Sequence, residues 1–186
     1  MGPLRGMDKL LEPSVAPGLK QLAKKICQLQ LLPSSRPYVA LIKFLMLANA
    51  FATFYMTGLI WFVQIVHYPL FEKVGAQGWG TYHQMHTERT GLAVGPMMLV
   101  EMASAICLFW YRPTGIPLSE WMAGFAVLIV IWLSTLLLQI PAHELLSKTY
   151  AVDTIDRLVT TNWLRTIGWT FRSCLWLKWF WHSWLN

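Results

Sequence analysis

Residues 44–71 read FLMLANAFATFYMTGLIWFVQIVHYPLF, without a single Asp, Glu, Lys or Arg. A helix needs about 20 consecutive apolar residues to cross the hydrocarbon core of a bilayer, so this stretch is long enough. The rest of the chain has the same character. Of 186 residues, 55% are hydrophobic and only 13% charged, where a soluble domain carries about a quarter charged residues. A soluble domain with a greasy core is thereby excluded.

Working outward, the first span is placed at roughly 40–66, following a helix start at Ser34-Ser35-Arg36-Pro37, where a hydroxyl cap precedes a first-turn proline. A second span is expected from Gly91 to Tyr111, and a third from Trp121 to Ile140, stopping at Pro141. The fourth, Asn162 to Leu185, is interrupted by Arg165, Arg172 and Lys178 but dense in aromatics. Six of the 11 tryptophans lie there; Trp179, Trp181 and Trp184 read as an interfacial belt. A tryptophan-lined pigment or porphyrin pocket is the less favoured alternative. The expected fold is an all-α, up-down bundle of four transmembrane helices over residues 38–186, preceded by a basic tail over residues 1–37.

Within that tail, Leu19, Leu22, Ala23, Ile26 and Leu29 fall on one helical face, and Lys20, Gln21, Lys24, Lys25 and Gln28 on the other. This predicts an amphipathic helix on the membrane surface, ended by Pro33. The first 30 residues lack a signal-peptide apolar core, so the first span is expected to stay as an anchor. The net charge is +6, and seven of the 15 basic residues lie in the first 43 positions. Basic residues beside a span set orientation and attract anionic lipid, so the charge points to the bilayer and not to nucleic acid. The segments 67–90 and 141–162 carry balanced or acidic charge, which places both termini in the cytoplasm. Cys27, Cys107 and Cys174 are scattered and show no metal or disulfide spacing.

An up-down bundle brings the end of span one beside the start of span two, and the end of span three beside the start of span four. Those four places hold His67-Tyr68-Pro69, His83 to His86, Pro141-Ala142-His143-Glu144 and Thr161-Asn162-Trp163-Leu164-Arg165. Four of the five histidines therefore gather at one end, extracytoplasmic by the charge count. Trp61, Gln64 and Tyr68 share a helical face with His67 beside them, and Arg165 and Arg172 share a stripe. Glu101 and Arg172 lie at comparable depth, which allows an interior ion pair; charges inside a span face the interior or a wet cavity.

Three chemistries fit these residues. His67, His86, His143 and Glu144 are ligand types for iron, copper or zinc; His67 and His143 form a natural pair for haem; or a metal-free pocket transfers protons to a lipophilic substrate. His83 and His182 are expected to have ordinary loop or interfacial roles.

The motifs VQIVHYPLF (63–71), QIPAHE (139–144) and TNWLRT (161–166), with Tyr82, His86, Arg89 and Glu101 between them, resemble a family of small bacterial four-helix membrane proteins without an established activity. The layout is more distantly similar to the anthrone-oxygenase-like membrane proteins, through the Asn-x-x-Arg opening the last helix. The first resemblance implies a bacterial inner membrane, and the second implies oxygen or quinone chemistry. The leading expectation is a small redox or oxygenase-type membrane enzyme acting on a lipophilic molecule. In it, His143 and Glu144 work as acid, base or ligand, Arg165 with Asn162 binds an anionic or carbonyl group, and Glu101 with Arg172 fixes the core. The rival is a non-catalytic accessory or assembly subunit of a larger membrane complex, which a stoichiometric membrane protein partner would favour and a homogeneous lone homo-oligomer would count against.

Overall fold

A computed structural model describes residues 36–111 and 115–185. The predicted amphipathic helix and the residues before Arg36 lie outside the described residues. What is described is helical, with no strand among the described residues. Helix α1 spans Arg36–Phe62, α2 Phe71–Trp110, α3 Leu118–Ser134, α4 Ile140–Lys148 and α5 Val152–Leu185. Two π-turns join on without a break, Val63–His67 after α1 and Thr135–Gln139 between α3 and α4. Three helical runs are long and apolar enough to cross a membrane: Pro37–His67, Phe71–Trp110 and Leu118–Lys148. Helix α5 falls outside that set.

From Leu45 onward, polar contacts fix the order of the helices. At one level, Asn49 of α1 donates to the Glu101 carbonyl of α2, and Arg172 of α5 donates to the Gly124 carbonyl of α3. At the other, His67 meets His86, Tyr68 meets His143, and Asn162 donates to Gln64. The chain therefore runs 49→67, back 86→101, out again 124→143 and back 162→172, an up-down arrangement.

Polar side chains are buried within the bundle beside its apolar core, and much of the outer surface is apolar. Asn49, Thr53, Gln64, Glu101, Arg165 and Arg172 are buried, whereas Leu47, Phe51, Leu92 and Leu137 are more than 60% exposed. In water such an apolar surface would drive association; against lipid tails it is matched to its solvent. Glu101 is the hub of the interior. Its carboxylate accepts from Thr53 at 2.6 Å, from Trp169 Nε1 at 2.9 Å and from Arg172 Nε at 2.9 Å. A buried charge is tolerated when it is both paired and hydrogen-bonded, and here it is both.

Two expectations about boundaries are corrected. Pro141 does not end the third helix: it follows directly on the π-turn Thr135–Gln139, at the start of α4. The π-turn before it lets the chain continue to Lys148. Residues 67–90 and 141–162 are likewise mostly helical rather than loops. Helix α2 is kinked at Gly75, and the residues after the kink, 76–110, rise about 50 Å at 1.5 Å per residue, well beyond the hydrocarbon thickness of roughly 30 Å. The half before Gly91 packs with α4 and the start of α5 around Phe71, Trp79, Leu146, Ile155 and Leu158. Trp79 Nε1 donates to the Leu146 carbonyl at 2.6 Å, and the Tyr150 hydroxyl to the Glu72 carbonyl at 2.9 Å. At Gly75, inside α2, φ is +73° with ψ 163°, a kink in the helix that a Cβ would strain.

Candidate functional site

Beneath this helical cap sit four imidazoles. The π-turn Val63–His67 carries Gln64 and His67; Thr135–Gln139 carries Gln139 and sets the phase of His143, one turn on. Each π-turn widens the helix by a residue, so the side chains after it are rotated relative to a regular α-helix. On α2, His83 and His86 are three residues apart and share a face.

The rings pair off. His67 Nε2 lies 2.7 Å from His86 Nδ1, and the Thr90 hydroxyl lies 3.1 Å from the same nitrogen. His83 Nε2 lies 3.2 Å from His143 Nδ1, and Tyr68 Oη lies 3.1 Å from His143 Nε2. The His86 and His143 rings are 5.3 Å apart, and Phe71 packs edge-on against His86 at 4.9 Å. Burial pushes the Tyr68 pKa up, opposed by the charge of Arg165 and its hydrogen bond to the phenol. The phenol therefore keeps its proton. Arg165 stands beside the phenol, which lies within hydrogen-bond reach of His143 Nε2. Nδ1 of His83 is a buried atom without a partner. In the other pair, both His67 Nε2 and the Thr90 hydroxyl approach His86 Nδ1, and which group donates follows from the tautomer.

A cavity of about 620 Å³ opens beside this cluster, between α2 on one side and α3 with α4 on the other. Its polar lining includes Tyr68, His86, Thr90, Gln139, His143 and Arg165, and Val94, Met98, Leu99, Trp132 and Leu136 supply much of its apolar lining. Leu99, Leu136 and Ile140 at its edge are 61%, 49% and 44% exposed, so the mouth faces the apolar outer surface. Arg165 is 5% exposed, lies over the Trp169 ring at 5.4 Å, and has no partner for Nε. Trp169 in turn donates to Glu101, which ties the floor of the site to the core ion pair.

The predicted residues are thus distributed as follows. His67, His86 and His143 meet; Arg165 joins them across Tyr68; Glu144 stands exposed on the cavity rim. Asn162 does not line the cavity: its amide is committed to Gln64 Oε1 at 2.9 Å. Glu101 and Arg172 form the interior ion pair at 2.9 Å. His83, read as an ordinary loop histidine, is 1% exposed and bonded to His143. The i, i+3 spacing of His83 and His86 was the signal for it, had the segment been read as helix. Tyr68 was noted only for its face, and it proves to be the link between His143 and Arg165.

Neither ligation scheme has geometric support. Among the described residues, no group of three or more His, Cys, Asp or Glu side chains is placed to hold a metal ion. The nitrogens that would ligate are turned to other partners: Nε2 of His67 to His86, Nε2 of His143 to Tyr68. The expected haem pair is engaged in the same way. Comparison with known proteins returns no matching family model, no matching curated protein and no matching solved structure.

Proposed function

We propose that the chain is a four-span membrane protein whose outer end holds a metal-free acid–base site for a lipophilic substrate drawn from the bilayer. The observation that carries this reading is the cavity itself: an apolar passage facing the outer surface and ending on His86, His143, Tyr68 and Arg165. Helix α5 serves as the fourth span. The arginines that lower its average hydropathy, Arg165 and Arg172, are buried, while Leu164, Ile167, Phe171 and Leu177 face outward. Its lipid-facing surface is therefore apolar. The loop charges favour both termini inside and the site on the extracytoplasmic side of a bacterial inner membrane.

In this reading Arg165 and Tyr68 hold an oxygen of the substrate. His86 gives its Nε2 proton to the substrate as general acid and takes the His67 Nε2 proton at Nδ1. His67, half-buried, recovers a proton from the medium. General acid–base help of this kind is worth about 10²–10⁴ in rate. His143, held between Tyr68 and His83, positions the phenol.

The test compares lipid extracts, by mass spectrometry, from membranes holding wild type, His86→Gln or His143→Ala. A compound converted only by wild type, with yield and insertion equal in all three, is the expected result. Variants that fail to accumulate would make the imidazoles a structural network. No conversion, with a second protein co-purifying in stoichiometric amount in mild detergent, would favour the accessory-subunit reading.

A further inference from the structure

Three buried charged side chains stand out among the described residues: Glu101, Arg172 and Arg165. The first two neutralise each other at 2.9 Å. Arg165 has no such counterpart, because the salt bridges among the described residues are Arg172–Glu101 and Lys178–Glu120. Its neighbour around the cavity, Glu144, is exposed on the rim and forms no salt bridge with it. A buried cation without an anion carries a heavy desolvation penalty, and stacking on Trp169 offsets only part of it.

The groups beside Arg165 add to the demand. Tyr68 and Thr90 bring hydroxyls and His86 an imidazole; none of them brings negative charge. Away from this end the lining turns apolar, through Val94, Met98, Leu99 and Leu136, towards the exposed rim. The arrangement calls for a negative head on a hydrocarbon tail. A guanidinium presents paired N–H groups to a planar carboxylate as two parallel hydrogen bonds, and Arg165 Nε is without a partner.

We infer that the cavity takes an anionic amphiphile, a carboxylate on a long hydrocarbon chain, with the head on Arg165 and Tyr68 and the chain lying between α2 and α3. This rests on the lipophilic-substrate reading above and narrows it, since a quinone or another neutral carbonyl would leave the Arg165 charge uncompensated. The carboxylate enters sideways from the bilayer, tail along Leu99 and Leu136.

Native mass spectrometry of the full chain in a non-ionic detergent, titrated with palmitate, methyl palmitate or inorganic phosphate, tests it. Wild type should bind one palmitate saturably, and the ester more weakly by at least about tenfold, the scale of one charge-assisted contact. Phosphate alone should not bind. Arg165→Gln should erase the preference for palmitate over the ester. Leu136→Trp, which fills the apolar passage from an exposed position, should weaken both chains; this arm and the ester comparison decide the matter even if Arg165→Gln does not fold. Equal binding of acid and ester by wild type overturns the inference and leaves the lipophilic-substrate reading standing. Binding of neither chain overturns that reading itself. Phosphate binding as tight as palmitate would remove the tail from the account.

Discussion

At Glu101 one carboxylate is held by a threonine, a tryptophan and an arginine drawn from two other helices. Removing either ion leaves its partner charged and buried, and breaking such a pair costs about 3–5 kcal/mol. Arg172→Met is therefore expected to lower the midpoint of thermal unfolding in detergent sharply. The double variant Glu101→Leu/Arg172→Met should recover part of the loss, because no ion is stranded. Equal stability of wild type and Arg172→Met would contradict the pairing. This contact was legible in the sequence, since two lone charges at matching depth in apolar spans have little else to do. His83 was not. Its role depends on residues 71–90 being helix, and Gly75, Gly78 and Gly80 disguise that segment as loop. Once the segment is helical, His83 and His86 must point the same way.

The two π-turns act at the scale of elements. The first ends on His67 and the second lies one turn ahead of His143, and no periodicity argument based on 3.6 residues per turn anticipates them. Inserting an alanine after Leu137, an exposed residue of the second π-turn, adds a residue beyond the one the π-turn already accommodates and should rotate α4 by about 100°, the turn per residue of an α-helix. His143 would then leave Tyr68 and His83. The expected result is unchanged far-UV circular dichroism with loss of palmitate binding; retained binding would show that the π-turn does not set the register of His143. The packing of α3 on α5 is equally specific. A Cβ at Gly168 would lie 2.8 Å from Ile131 Cγ1, and Ile131 is fully buried. Gly168→Ala is therefore expected to destabilise by about 1–3 kcal/mol, the usual range for overpacking, measured by thermal unfolding.

For the whole molecule, orientation is the first question. With Cys27, Cys107 and Cys174 replaced by serine, a cysteine at Gln77, on the exposed surface of the helical cap, should react with an impermeant maleimide added to intact cells. One at Ser119, exposed at the opposite end, should react only after permeabilisation. The reverse pattern would invert the protein and place the site inside. The helical character and the gathering of histidines at one end followed from span order alone. The cavity did not, because it depends on how far α2 stands from α3, a distance that no local pattern encodes.

The account stands on one claim, that the cavity between α2 and α3 is filled from the bilayer by a small lipophilic molecule. The most direct measurement is the native mass of the protein purified in mild detergent, taken beside Leu136→Trp. Wild type carrying a discrete small apolar mass that the variant lacks is the predicted result. Two bare proteins, or a wild type bound to a stoichiometric protein partner and no small molecule, would contradict it.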